Sequence, residues 1–441
     1  MSSLAIGGLI AGVGLLIMLT GIPIAFSLGI ISVAAILLFL DPYQFDMLGE
    51  LVFSSMNDFT LLAIPLFVFM GAIFASSKAS EDLFEAAQKW TSKLPGGLAI
   101  SSVLACAIFS ALNGSSPATA AAIGKAAIPE MKKRGYSNTL ATGAIVAGGT
   151  LGILIPPSVV LILYGVAVEQ SIGKLFAAGI IPGILLTLLF CLWIVIATLL
   201  ERRGINVSSP EGAHYVMTYS WKERFIALIK VIPFLLIILA ILFVLYAGVA
   251  TPSEAAAVGA ILSLVFIAII YRSVTWKKLV DMLLSTTKES TMILLIIAFS
   301  ALIGTVMSFL SIPQDLANWV ISLNLSKWTV MILINIFLLI LGLFIPPAAI
   351  ILMTAPILYP IITGLGFDPI WFGIIMTINM EAGLITPPVG LNLFVVKGIA
   401  PDIPTKDIIV GAIPFVGVII VCIALLSIFP ELVTWLPNKL F

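Results

Sequence analysis

Long apolar runs alternate with short polar breaks along this chain, and the breaks define the elements. Residues 4–40 are apolar throughout but too long for one crossing at about 20 residues per span. Thr20-Gly-Ile-Pro23 interrupts the run and predicts two helices in sequence. Residues 41–58 are polar and acidic, and a span follows at 61–76. Residues 78–93 read as an amphipathic surface helix with Leu83, Phe84, Ala87 and Trp90 on one face. Next come an apolar stretch at 96–112, a polar patch Asn113-Gly-Ser-Ser-Pro117, and a short helical stretch to residue 128. Each arm is about 22 Å long as helix, short of the roughly 30 Å hydrocarbon core. The pair therefore predicts a re-entrant hairpin. Residues 138–168 are broken by Gly148-Gly-Thr-Leu-Gly-Ile-Leu-Ile-Pro-Pro-Ser158. Then follow a span at 175–200, a polar loop at 201–223, spans at 224–246 and 252–271, and a second amphipathic segment at 273–289.

The pattern then recurs. Leu61 through Gly71 matches Leu294 through Gly304 in spacing, Asp82-Leu83 falls on Asp315-Leu316, and Pro117-Ala118 falls near Pro347-Ala348. Gly152-Ile-Leu-Ile-Pro-Pro157 falls on Gly383-Leu-Ile-Thr-Pro-Pro388, and Ile181-Pro182 on Ile413-Pro414. The offset stays between 230 and 233 residues. Five matches in order predict two repeats, 57–202 and 290–430. They lie between N-terminal helices (1–56), a central pair of spans with an amphipathic arm (203–289) and a C-terminal tail (431–441). The basic residues orient them. If the first hairpin opens to the cytoplasm, Lys78, Lys132, Lys133, Arg134, Arg202, Arg203, Lys277 and Lys278 fall on that side with most of the other Lys and Arg. Lys174, Lys327 and Lys439 fall outside. The repeats are then inverted, the second hairpin (328–360) opens outward, and both termini are periplasmic.

Composition narrows the class. Hydrophobic residues make up 61% of the 441, charged residues 10%, and mean hydropathy is +1.23. A soluble fold cannot hide that much apolar surface, so the fold class is an all-α polytopic membrane protein in a lipid bilayer, with two re-entrant hairpins and two broken helices. Net charge is zero, which offers nothing to a nucleic acid. The three cysteines, Cys106, Cys191 and Cys422, lie in apolar runs as small hydrophobes, and the single histidine, His214, lies in a polar loop. No Walker or dinucleotide motif is present, and no paired acids or His-Glu motifs that an intramembrane enzyme would need. The N-terminus lacks the basic flank of a cleaved signal peptide, so the first membrane helix is read from residue 4.

Inverted repeats with broken helices meeting at the midplane are how secondary transporters are built. Helices broken in hydrocarbon free N–H and C=O groups that must face protein, ions or water. The first half-site comprises Asn113, Gly114, Ser115, Ser116 and Thr119 at a hairpin tip, with Gly149, Thr150, Gly152 and Pro156 in the broken helix. The second comprises Gly342, Phe344, Pro346 and Pro347, with Asn379, Glu381, Gly383, Thr386 and Pro387. Hydroxyl and carbonyl oxygens suit Na⁺, and helix N-termini suit a carboxylate. The same Ser, Gly and Thr residues also serve close helix packing. Glu381 is either a functional intramembrane acid or a half-helix cap. Glu254 reads as a cap after Thr251-Pro-Ser253.

Four segments resemble the large membrane subunit of tripartite ATP-independent periplasmic (TRAP) transporters. They are Asn113 through Gly124, Gly152 through Ser158, Thr251 through Gly259 and Gly383-Leu-Ile-Thr-Pro-Pro-Val-Gly390. Thr20-Gly-Ile-Pro-Ile-Ala-Phe26 fits as well. The resemblance covers essentially the whole chain. Asn113 departs from it, since the usual first tip reads Ser-Gly-Ser-Ser. The resemblance implies a bacterial inner membrane location and two partners, a periplasmic substrate-binding protein and a small four-helix membrane subunit on a separate chain. It implies sodium-coupled import of a small organic anion such as a sialic acid or C4-dicarboxylate, no other cofactor, and an elevator motion of a transport domain against a scaffold. An ion-coupled carrier of related fold, working without a binding protein, is the alternative.

Overall fold

The computed structural model describes every residue except 1, 42, 203–217 and 273. His214 and most of the loop at 201–223 lie outside the described residues.

Helices begin and end at the predicted punctuation. α1 (Ser3–Leu19) stops at Thr20-Gly21, where Gly21 takes φ +86°, and α2 (Ile24–Phe39) starts after Pro23. The acidic segment forms α3 (Tyr43–Asp46) and α4 (Leu48–Met56). The chain bends by 58° there before entering α5 (Ala63–Ala75). α6 (Ala79–Thr91) is the first amphipathic helix, and it buries Leu83 and Phe84. α7 (Gly97–Asn113) and α8 (Ser116–Lys133) are joined by Gly114 (φ +64°) and Ser115, with Pro117 in the first turn of α8. The next helix breaks into α9 (Asn138–Thr150), a 3₁₀ turn and α10 (Val159–Ala167). At about 20 and 14 Å, neither piece spans the core alone. Then come α11 (Ile172–Arg202), α12 (Trp221–Tyr246) and α13 (Pro252–Ile270). In α13, Thr251 and Glu254 close the reciprocal capping box.

The chain departs from the sequence reading at α14 (Trp276–Phe309). The segment at 273–289 and the span after it are one 34-residue helix, so the boundary drawn at residue 290 falls inside it. Hydropathy changes there, but no Pro or Gly occurs between Trp276 and Ile303, and nothing stops the helix.

α15 (Ile312–Ser322) leads to α16 (Lys327–Gly342) and α17 (Pro347–Gly364), the second helix pair. The second interrupted helix is α18 (Pro369–Leu384) and α19 (Leu391–Ile399). α20 (Thr405–Ile428) is followed by α21 (Glu431–Leu440), so the predicted tail is a helix, and it packs on α11. Among the described residues six helices are long and apolar enough to cross a membrane, and α17 is one of them.

Two groups of helices pack internally. In one, α14 runs against α2, α4 and α5, α13 against α5 and α12, and α12 against α6. In the other, α9 is enclosed by α7, α8 and α20, and α18 by α11, α16 and α20. They meet where α7 touches α5 and α6, and where α14 touches α17. Exposed Leu, Ile, Val and Phe on α1, α2, α11, α12 and α13 form the apolar exterior of a multi-pass membrane protein. Across the second group, Lys132 at the end of α8 pairs with Asp402 ahead of α20. That cation holds the Asp402 carboxyl below its ordinary range.

Candidate functional site

Close backbone approach locates the first tip. A Cβ on Gly152 would lie 2.6 Å from the Ser115 carbonyl oxygen and 2.8 Å from the Ser116 nitrogen. One on Gly149 would lie 2.6 Å from the Ala120 Cβ. The break between α9 and α10 thus sits directly on the α7–α8 turn, and only glycine permits the contact. Gly71 of α5 makes the same kind of approach to the Asn113 amide. Gly114 packs on the Pro157 carbonyl.

The second tip repeats the construction. A Cβ on Gly383 would lie 2.6 Å from the Gly342 carbonyl carbon and 2.7 Å from its oxygen. The Val389 N–H donates to the Leu343 carbonyl (3.3 Å), tying the turn after α18 to the end of α16.

A cavity of about 310 Å³ brings parts of both tips together. Asn113, Gly114, Ser115 and Ser116 line one wall, and Pro346 and Pro347 another. Thr119 and Thr150 lie fully buried. Phe344 is 48% exposed, and Thr386 and Pro387 are half-buried. Pro156 lines a different, apolar groove between α7, α11 and α12.

Several buried polar atoms on the helices that form the tips and breaks have no partner. Among buried side chains, Asn113 Nδ2, Thr119 Oγ1, Asn379 Oδ1, Asn392 Oδ1 and both Glu381 oxygens make no hydrogen bond. Glu381 is fully buried near the C-terminal end of α18, so it does not cap that helix's N-terminus. Neither oxygen of this buried acid meets a donor, and it lies at the negative end of the helix dipole, so the surrounding chain offers nothing that favours its charged form. Among the described residues no group of three or more His, Cys, Asp and Glu comes together. The oxygens available for a cation at the tips are therefore mainly hydroxyl, amide and carbonyl oxygens.

Some site residues carried no signal that the sequence reading used. Asn392 Nδ2 donates to Ser116 Oγ (2.8 Å) and to the Val146 carbonyl (3.2 Å), joining the second broken helix to the first tip. Asn379 Nδ2 donates to Asn335 Oδ1 (2.9 Å) and to the Asn335 carbonyl (3.0 Å). Ser285, Thr286 and Glu289 of α14 face the same cavity across from the tips. An isolated Asn in an apolar run was the available clue for Asn335 and Asn392. Replacing Asn392 by Leu removes both donations and leaves the Ser116 hydroxyl and Val146 carbonyl buried without that donor, a cost of about 1–3 kcal/mol. The expected result is normal membrane insertion with a lowered melting temperature in detergent, and an unchanged melting temperature would show the bridge to be incidental.

Broken helices around a largely apolar cavity with a few polar groups at its tips, wrapped in an apolar exterior, define a polytopic helical membrane protein. Residues 11–432 match the family described as tripartite ATP-independent periplasmic transporter, DctM component. The chain belongs to this family: it is a TRAP large permease, a transport protein and not an enzyme. It is 41% identical to a C4-dicarboxylate TRAP transporter large permease protein of Pseudomonas aeruginosa over 94% of each chain. It is 30% identical to a sialic acid TRAP transporter large permease protein of Vibrio cholerae over 98% of each chain. In fold alone it is similar to the YdaH transporter of Alcanivorax borkumensis, with TM-score 0.61 and 15% identity, covering 90% of this chain and 89% of that one.

Proposed function

We propose that this subunit carries a small organic acid anion into the cell together with sodium ions, in an inner membrane whose periplasmic face receives both termini. The observation that carries the reading is the close seating of each helix break on a helix-pair turn, Gly152 on Ser115 and Gly383 on Gly342, with unpartnered buried polar atoms on the same helices. Each junction offers neutral oxygens to Na⁺, and the cavity between them takes the substrate carboxylate. Two sodium-bound tips offset the anion's charge, so the loaded unit crosses where a half-loaded one does not. Each 100 mV of membrane potential then contributes about 2.3 kcal/mol per net charge moved.

The helix pairs α7–α8 and α16–α17 act as re-entrant hairpins of two inverted repeats. The group around α9 and α18 slides as a transport domain against the group around α5, α13 and α14. A periplasmic binding protein delivers the anion, and a small membrane subunit completes the frame. A C4-dicarboxylate is the favoured substrate, because the Pseudomonas relative bearing that name is 41% identical while the Vibrio sialic acid relative is 30% identical.

Uptake into proteoliposomes tests this. They would hold this chain and its small partner, with succinate or sialic acid supplied on the matching binding protein. Succinate uptake should require an inward sodium gradient and the binding protein, and should collapse in the Ser115→Ala, Ser116→Ala double variant. Uptake indifferent to sodium or to the binding protein would overturn the reading and leave a stand-alone carrier.

A further inference from the structure

The seam between the two helix groups contains a second cavity, an apolar groove of about 640 Å³. α6 and α12 form one side. α7, α11 and the Ile155-Pro156 break form the other. The one hydroxyl along it, Thr187, is turned to the Gly183 carbonyl of its own helix (2.7 Å), so the wall offers no free polar group there.

The α12 side is a helical stripe, Leu228, Val231, Ile238 and Leu242. At 1.5 Å per residue the stripe is about 21 Å long, room for an extended chain of methylenes. The groove's α11 side continues onto Ile184 and Leu188, which are 56% and 59% exposed on the apolar exterior, so it is open to the bilayer.

One turn before Leu228, on the same stripe, stands Arg224. It is 8% exposed, and its Nε is buried without a partner. Among the described residues its guanidinium makes no hydrogen bond or ion pair, whereas Lys89 pairs with Glu85 (2.6 Å) and Lys230 with Asp82 (3.2 Å) and Glu85 (3.0 Å). The adjacent acid, Glu223, is occupied by Ser220 in the helix cap. Trp221 lies 5.2 Å over the Arg224 guanidinium, and Trp90, which lines the groove, donates its indole N–H to the Arg224 carbonyl (3.3 Å). Two tryptophans beside the residue place it at headgroup level. A buried arginine with no counter-ion among the described residues suits an oxyanion, and its fork suits a phosphate.

We propose that this groove is a site for an anionic phospholipid, with one acyl chain along the α12 stripe and the phosphate on Arg224. The lipid fills the seam between the two helix groups, on the face where most of the lysines and arginines lie.

The test is lipid retention by the purified full chain, delipidated in detergent and read by native mass spectrometry. Phosphatidylglycerol and phosphatidylcholine of identical chains, and inorganic phosphate, serve as probes. Phosphatidylglycerol should be retained at a concentration lower by at least about fivefold than phosphatidylcholine. Arg224→Gln should erase that difference and Arg224→Lys should restore part of it. Ala107→Phe, which narrows the groove away from the charge, should weaken both lipids. Equal retention of the two lipids, a preference untouched by Arg224→Gln, or inorganic phosphate bound as well as the lipid would overturn the proposal. So would displacement of the lipid on adding the small membrane partner. No readout depends on transport, so this site stands or falls apart from the sodium-coupled mechanism.

Discussion

Changing Glu381 to glutamine is expected to lower the proposed sodium-driven uptake at least about tenfold, a loss of about 1.4 kcal/mol, while leaving the protein inserted and folded. The carboxylate has no exposure and no hydrogen-bond donor on either oxygen. It sits where the α18 dipole is negative. An acidic side chain at the centre of a membrane helix costs about 2.5–3.5 kcal/mol unless something compensates it. If a bound cation is that compensation, glutamine keeps the volume and removes the reason for the cation to bind. The empty protein should lose nothing in thermal stability, and half-saturation by sodium should rise steeply. Aspartate, with the charge set back by one methylene, should retain intermediate activity. Normal uptake with an unaltered sodium dependence in the glutamine variant would make Glu381 a structural residue.

The second large effect is expected from a single methyl group at the tip contacts. Gly152→Ala and Gly383→Ala each place a Cβ within 2.6–2.7 Å of backbone atoms of Ser115 and of Gly342. Backbone cannot turn aside as a side chain can, so each tip must be displaced or the break reopened. Overpacking of this kind costs about 1–3 kcal/mol, and here it falls on the groups that would hold the ions. Uptake should drop by roughly 10- to 100-fold at about 1.4 kcal/mol per tenfold. Gly417→Ala on α20, where nothing lies within 4 Å, is the matched control and should be silent. If all three variants transport alike, close tip packing is dispensable and the proposed ion sites lie elsewhere.

Most helix ends were legible because local chemistry decides them. Gly21, Pro23, Gly114, Pro117 and the Thr251–Glu254 box act within a few residues of themselves, through φ, a missing N–H or a side-chain cap. At α14 the repeat boundary at residue 290 falls inside one continuous helix, because no Pro or Gly between Trp276 and Ile303 ends it. The tip glycines were legible as a pattern, since Gly152 and Gly383 recur at matching places in the two halves. Their partners were not, because a glycine does not announce which backbone it admits.

The sequence by itself determined that this chain lives in lipid, that its helices break at two Gly- and Pro-rich places, and to which family it belongs. The first two are properties of composition and of short-range backbone chemistry, and the family is carried by a resemblance at several motifs spread along the chain. The tertiary structure alone decided that Asn392 reaches Ser116 across 276 positions, that Pro156 faces the apolar seam, that Thr286 and Glu289 face the cavity, and that Arg224 has no counter-ion among the described residues. Each of these depends on which helix packs against which. Packing sums many weak contacts between distant segments, and no single segment carries that sum.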